Sequence, residues 1–449
     1  MCGIAGFIDF GGHNREEAYA RTRRMTATLF HRGPDEDGYY VDDFAALGHR
    51  RLSIIDMTAG QQPMSALEGQ VQIVFNGEIY NFQGLRSDLE TRGYRFQTRS
   101  DTEVILLSYV EWGTACVEKL DGMFAFAIWD ARTRRVLLAR DRVGKKPLYY
   151  YYNNKTLAFA SELKALKAGD LCPSAIDSES LDCYLSFGYI PAPRTIYKAA
   201  KKLRPGQYMV GSERELVHVQ YWDLSFADPM CLTMEEATDK LDGLLDEAVR
   251  CRLVSEVPLG VFLSGGVDSN LVVSSMARIL DEPVITNSVG FEDKQFNELP
   301  LSKRVAEHLH TEHHEFVVQP HIIDVLEKIA WHFDEPFAVS SAVATWYVCQ
   351  MAKQTVTVAL SGDGGDESFA GYSFRYIPHT LESRVRHAIP LAARRIIFGP
   401  LGSLWPRSRR LPKPLRLKTI FENLAGGDVE AFYQDLVCLR ADTRAHLYS

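Results

Sequence analysis

The apolar positions along the chain change their pattern once. Up to about residue 225 they come as short runs closed by turn residues. Examples are Gly3-Ile4-Ala5-Gly6-Phe7-Ile8, Gln72-Ile73-Val74-Phe75, Phe124-Ala125-Phe126-Ala127-Ile128-Trp129 and Val136-Leu137-Leu138-Ala139. Runs of this kind predict strands. Between them, residues 100–112 carry Val104, Leu107 and Val110 at helical spacing. Antiparallel strands with helices outside them predict a layered α+β domain.

Residues 223–232 break that pattern with Ser-Phe-Ala-Asp-Pro-Met, which reads as a linker. From Thr233 onward helices alternate with buried strands. One helix, residues 234–252, precedes Gly260-Val261-Phe262-Leu263; another precedes residues 284–289, and a later one residues 356–360. This alternation predicts an α/β, doubly wound parallel sheet. The expected units are residues 2–225 and 233–449.

Composition adds mainly exclusions. Apolar residues make up 46% and charged residues 24% of the 449, the profile of a globular chain of two or three domains. A net charge of -8 gives no reason to expect a nucleic-acid partner. No run of about 18 apolar residues predicts a membrane span, and the first residues do not read as a signal peptide. Eight cysteines without a Cys-x-x-Cys pair suggest reduced thiols in a cytoplasm. His308, His310, His313 and His314 straddle a helix end and the next strand, so they are expected to be structural. Residues 384–418 hold ten basic side chains and no acidic one, which reads as a solvated helical surface. Gly144-Lys145-Lys146-Pro147 reads as structural or interdomain.

Cys2 stands directly behind the initiator methionine and before a glycine. A small second residue predicts removal of Met1, leaving Cys2 with a free α-amino group. Such an amine ionises at about 8 and can act as base for its own side chain. The thiolate so formed attacks a carboxamide and leaves a thioester. Phe75-Asn76-Gly77-Glu78-Ile79-Tyr80-Asn81 follows a strand and is expected to break it at Asn-Gly. The Asn76 amide and the Gly77 N–H are the donors an oxyanion hole needs, although Asn-Gly is also the strongest short signal for a hairpin turn. Arg51, in Arg50-Arg51-Leu52-Ser53-Ile54-Ile55-Asp56, has the fork that suits an α-carboxylate. Asp101, in Arg99-Ser100-Asp101-Thr102-Glu103, suits an α-ammonium, while Ser-Asp before a helix also reads as an N-cap.

Met1-Cys2-Gly3-Ile4-Ala5-Gly6-Phe7, His31-Arg32-Gly33-Pro34-Asp35 and the three segments just quoted resemble the glutaminase domain of class II glutamine amidotransferases. Within that class the chain is similar to the asparagine synthetase (glutamine-hydrolysing) family. The resemblance implies an N-terminal-nucleophile fold of stacked antiparallel sheets between helices. It implies Cys2 as nucleophile, with Asn76 and Gly77 as the oxyanion hole. Arg51, Leu52, Ser53, Ile54, Ile55, Asn76, Gly77, Glu78 and Asp101 become the glutamine contacts.

Phe262-Leu263-Ser264-Gly265-Gly266-Val267-Asp268-Ser269 lies between a predicted strand and a helix expected to start near Ser269. Glycines let backbone N–H groups approach phosphates, and a helix N-terminus adds partial positive charge. The Gly-Lys-Ser/Thr ending of a Walker loop is absent. Asp268 suits Mg²⁺ on the phosphates better than the phosphates themselves. Ser-Gly-Gly-Val-Asp-Ser resembles the loop of enzymes that split ATP into AMP and pyrophosphate, placed as in the same family. That resemblance implies ATP contacts at Leu263, Ser264, Gly265, Gly266, Asp268, Ser269, Val289, Ser361 and Gly362. It also implies intermediate formation near Asp363 and Mg²⁺ at Asp268 and Asp366.

The implied activity is glutamine-dependent amidation of an ATP-activated carboxylate, aspartate to asparagine first. The expected partners are glutamine, ATP and the acceptor, with a homodimer as an open option. Two departures qualify the acceptor. The segment Asp334-Glu335-Pro336-Phe337-Ala338-Val339-Ser340-Ser341 lacks the arginine found there in asparagine-forming enzymes, and Asp363 stands where some members carry Glu. The Phe187 to Tyr197 stretch, Phe-Gly-Tyr-Ile-Pro-Ala-Pro-Arg-Thr-Ile-Tyr, resembles relatives from exopolysaccharide clusters, so a sugar acid is the rival acceptor. The chain also ends before a basic helical segment of the family, so a fragment, or a glutamine-sensing remnant, is the other expectation.

Overall fold

The computed structural model describes residues 1–292, 297–319, 321–339, 341–408 and 410–448. Ser340, named above, and Arg409 of the basic stretch 384–418 lie outside the described residues.

Twelve strands build the first half: β1 (Gly3–Asp9), β2 (Glu36–Val41), β3 (Ala45–Arg51), β4 (Met64–Ala66), β5 (Val71–Ile79), β6 (Gly122–Asp130), β7 (Arg135–Arg140), β8 (Tyr149–Tyr152), β9 (Thr156–Ala160), β10 (Ala200–Lys202), β11 (Gln207–Gly211) and β12 (Leu216–Gln220). They form two six-stranded antiparallel sheets, ordered β10-β8-β9-β1-β3-β2 and β12-β11-β7-β6-β5-β4. Strand period explains how they stack. Along β6, Ala125, Ala127 and Trp129 enter the core shared with β1, β3 and β9 of the other sheet. Phe124, Phe126 and Ile128 point the opposite way, under residues of the helices Phe82–Thr91 and Asp101–Trp112. The outer face of the first sheet is covered by the helices Arg15–Ala27 and Leu163–Ala168. Both faces of β6 are therefore buried, which is why its sequence is apolar without alternation. The result is the stacked α+β architecture expected above.

One local expectation fails. Asn76-Gly77 neither breaks the strand nor turns a hairpin, because β5 runs through both and pairs Asn76 with Ala125 and Gly77 with Phe124. A Cβ at Gly77 would stand 2.0 Å from the Met123 carbonyl oxygen. Glycine is used here for close approach of the neighbouring strand.

The second half holds a parallel sheet of β13 (Leu259–Phe262), β14 (Ile285–Phe291), β15 (Glu312–Val318) and β16 (Val358–Leu360), ordered β15-β14-β13-β16. The order reverses between β13 and β16, and ligands of open α/β sheets bind outside the strand ends at such a point. The helix Val267–Ile279 starts two residues earlier than expected, at the end of the glycine loop.

The basic stretch 384–418 is not wholly a solvated surface. Arg386 is buried, with Nε 2.5 Å from Asp428 Oδ1 and Nη1 3.4 Å from Glu382 Oε2. Arg394 is buried too and donates to the carbonyls of Ile389, Leu424 and Gly426. No described helix is long and apolar enough to cross a membrane.

Candidate functional site

β1 starts at Gly3, so strand pairing carries the chain's first residues into the layer between β3 and the end of β5. There they meet a cavity of about 310 Å³ lined by Cys2, Arg51, Leu52, Ile54, Ile55, Asn76, Gly77, Glu78 and Asp101. Of the expected glutamine contacts, only Ser53 is not on its wall; its N–H donates instead to Asp35 Oδ2 at 2.8 Å.

The Cys2 thiol donates toward the Leu52 carbonyl at 3.7 Å, and burial pushes it above the ordinary cysteine range. It therefore needs a base. The terminal amine, here on Met1, is lowered to about 5, first by burial, with Lys146 and Arg32 adding in the same direction. Arg32 donates from Nε to the Cys2 carbonyl oxygen at 3.0 Å, fixing the residue from behind.

Asn76 is fully buried, and neither its amide nitrogen nor its amide oxygen has a hydrogen-bond partner. Buried polar atoms left without partners are costly and call for an explanation at a ligand site. Gly77 supplies a second donor by geometry. Its opposite, Phe124, spends its N–H and carbonyl on Asp141 beside β7, so Gly77 and Phe124 form a non-hydrogen-bonded pair. In such a pair the Gly77 N–H points away from β6.

Two acids face these donors. Asp101 accepts from the Ile79 N–H at 3.0 Å; burial first, with Glu78 acting in the same direction, raises it to about 7. Burial also raises Glu78. Ser100 is the N-cap of the following helix, accepting from the Thr102 N–H, so Asp101 is released from capping and turned to the cavity. Arg51 is already engaged, with Nη1 2.8 Å from Glu36 Oε2 and Nη2 2.6 Å from the Asp56 carbonyl oxygen. Its fork is thus held in place on the wall by the 55–57 loop.

Five of the wall residues not foreseen in this role come from three places in the chain. Lys146, read above as structural or interdomain, lines the cavity; burial lowers it to about 8 while Glu78 opposes the fall. Gln62 lines it and accepts the Phe75 N–H. Thr357, Val358 and Ala359 come from the start of β16 in the other half. A lysine in Gly-Lys-Lys-Pro carried only the signal of charge beside an apolar run.

A second cavity, of about 840 Å³, opens at the ends of β13 and β16. Leu263, Ser264, Gly266, Asp268, Ser269, Val289, Ser361, Gly362, Asp363 and Asp366 line it. Gly265 does not; its N–H donates to Glu298 Oε2 at 3.0 Å. The Ser264 and Ser269 hydroxyls lie 2.9 Å apart and tighten the loop at the helix N-terminus. Asp268 and Asp366 offer hard oxygens to the same cavity, and among the described residues no group of three candidate ligands forms a metal cage. That set fits Mg²⁺ carried partly by phosphate oxygens.

Residues 1–222 match the glutamine amidotransferase domain family, and residues 240–444 the asparagine synthase family. Asparagine synthetase (glutamine-hydrolysing) 1 of Bacillus subtilis is 38% identical over 418 residues, covering 91% of this chain and 64% of the relative. A putative asparagine synthetase of Methanocaldococcus jannaschii is 37% identical over 399 residues, covering 83% of this chain and 76% of the relative. Asparagine synthetase B of Escherichia coli is 33% identical, covering 83% and 65%. The chain thus spans about two thirds of the length of such relatives.

Proposed function

The chain belongs to the asparagine synthetase (glutamine-hydrolysing) family, and from that premise we propose that it hydrolyses glutamine at Cys2 and delivers the ammonia to an ATP-activated carboxylate. The observation that carries the reading is Asn76, buried with both amide atoms unpartnered in the cavity of Cys2.

With Met1 removed, the Cys2 amine takes the proton of its own thiol. The thiolate attacks the glutamine carboxamide carbon, and the oxyanion is held by the Asn76 amide and the Gly77 N–H. The protonated amine returns its proton to the leaving ammonia, and water then cleaves the thioester to glutamate. Arg51 faces the substrate carboxylate, and Asp101 and Glu78 its ammonium. In the second unit, residues 233–449, the acceptor carboxylate attacks the α-phosphorus of ATP and pyrophosphate leaves. Ammonia then displaces AMP from the acyl-adenylate near Asp363. Bound at Asp268 and Asp366, Mg²⁺ would neutralise charge on the pyrophosphate. β16 supports coupling of the two sites, since residues 357–359 line the first cavity and residues 361–362 the second.

Aspartate is the leading acceptor, supported by the names of the relatives. A sugar acid is the second reading, supported by the segment 334–341, which carries no arginine, and by the Phe187 to Tyr197 stretch. Eight free cysteines accord with a reducing cytoplasm. The test measures glutamate from glutamine, and AMP with pyrophosphate from ATP, against aspartate and several uronic acids. Absence of glutamate release sinks the first half; pyrophosphate release with a uronic acid and never with aspartate replaces the acceptor.

A further inference from the structure

The loop that holds Arg51 is fastened from the other half of the chain. Glu256 lies just before β13. Its Oε1 accepts the Asp56 N–H at 3.2 Å and its Oε2 the Met57 N–H at 3.1 Å. Its own N–H donates to the Ile54 carbonyl at 3.0 Å. One residue thus makes three hydrogen bonds to a four-residue stretch of the glutamine cavity's rim.

Asp56 needs such fastening. Its φ of 51° is in the left-handed region, which a non-glycine residue enters at a cost and keeps only when its surroundings enforce it. Its carboxylate accepts from the Ala59 and Arg99 N–H groups at 2.9 and 2.7 Å. In this conformation its carbonyl accepts from Arg51 Nη2 at 2.6 Å. Gly60 packs so closely that a Cβ there would stand 2.4 Å from the same nitrogen. Glu256 supplies the part of this scaffold that comes from the nucleotide half.

Resting on the glutaminase reading above, we propose that Glu256 is a positioning residue for glutamine, holding Asp56 so that the Arg51 fork stays aimed at the substrate carboxylate. The connection to the nucleotide site is short. Three residues after Glu256, β13 begins, and two residues after its end lies Ser264 of the phosphate loop. Pro258, between them, accepts from the Thr357 N–H at 2.9 Å, fixing the strand whose first residues line the glutamine cavity.

The test compares Glu256→Ala and the near-isosteric Glu256→Gln with the parent protein. The expected result for Glu256→Ala is a KM for glutamine about tenfold higher with kcat within about twofold, the signature of lost substrate positioning rather than lost chemistry. Glu256→Gln, which keeps one acceptor oxygen, falls between. In a Cys2→Ala background, calorimetric titration with glutamine should show the same weakening, and amide exchange at Ala59 and Gly60 should quicken. An unchanged KM and Kd, or a matched fall in kcat and melting temperature with KM unaltered, overturns the proposal. Failure of the glutaminase reading looks different: the parent itself then neither binds nor hydrolyses glutamine.

Discussion

Lys164, at the foot of the first half, pairs with Asp334 at the end of a helix in the second: its Nζ lies 3.1 Å from Asp334 Oδ1 and its N–H 2.9 Å from Oδ2. The same ammonium contacts Glu162, whose carboxylate also takes His31 and Arg32. Burial works against charge at Glu162, yet the hydrogen bond from His31 and the Arg32 and Lys164 cations hold it down to about 2. Asp334, with fewer partners, is raised by burial. Removing one partner from a buried pair typically costs ~3–5 kcal/mol where the other charge is left alone; here Glu162 still holds Lys164, which puts the cost below that range. Asp334→Ala should therefore lower the melting temperature, and Asp334→Asn, which keeps an acceptor for the Lys164 N–H, should lower it less. Thermal unfolding of the three proteins checks this; a melting temperature unmoved by Asp334→Ala would mean the pair contributes nothing.

Asn76→Ala removes a donor that would be aimed at the oxyanion rather than at the ground state. Loss of one such donor costs about 10²–10³ in kcat. The expected outcome is that fall with KM for glutamine little changed, measured by glutamate release. A rise in KM with kcat intact would make Asn76 a binding residue instead.

Asp101 gives the apo protein a particular pH dependence. Its folded pKa is about 7, above the ordinary aspartate value, so the folded state holds this proton more tightly than the unfolded one. The stability it contributes is full below about 4 and is lost as pH rises through about 7. Glutamine reverses the preference, since its ammonium favours the carboxylate. KM for glutamine should thus fall as pH rises from about 6 to 8, with a proton released on binding. Asp101→Asn should flatten both trends. A parent KM that is flat over this range would show that Asp101 does not meet the ammonium.

How far these residues could be read from the chain depended on how local their signals were. Cys2, Asn76, Gly77 and Asp101 sit in short motifs whose chemistry is carried by a few neighbours, and all four line one cavity. Ser53 sits among the right neighbours but faces away, because its backbone is claimed by Asp35. The strand through Asn76-Gly77 was hidden by a local turn propensity that pairing with β6 overrides. Arg386 and Arg394 read as surface because the basic stretch holds no acid. Glu382 and Asp428, the partners of Arg386, lie two residues before the stretch and ten residues after it, and Arg394 is satisfied by backbone carbonyls. Glu256 was illegible for a plainer reason: its partners Asp56 and Met57 are 200 and 199 residues away.

A free amine on Cys2 is a requirement of the proposed chemistry, so the state of the terminus should control activity. Mass spectrometry of active protein should show loss of Met1. A tag fused before Cys2 should abolish glutamine hydrolysis while leaving any ammonia-dependent pyrophosphate release in place. Full glutaminase activity from a blocked terminus would assign the base to another group.

Gly365 makes the nucleotide site testable without touching a charged residue. A Cβ there would stand 2.4 Å from both Cγ and Oδ2 of Asp268, so Gly365→Ala must push that carboxylate aside. Asp268→Ala deletes it altogether. If Asp268 carries Mg²⁺ to the phosphates, both variants should lose pyrophosphate release, and Gly365→Ala should regain part of it at raised Mg²⁺. Metal binding through one displaced ligand is weakened rather than lost. Glutamine hydrolysis should stay within about twofold of the parent, since neither residue lines the Cys2 cavity. Gly243→Ala is the control: it lies within the helix Met234–Arg250 with nothing near its added methyl, and should be neutral or slightly stabilising. Pyrophosphate release by Asp268→Ala at the parent rate would remove Asp268 from the metal site. A Gly365→Ala defect that no concentration of Mg²⁺ relieves would place the damage in the loop backbone.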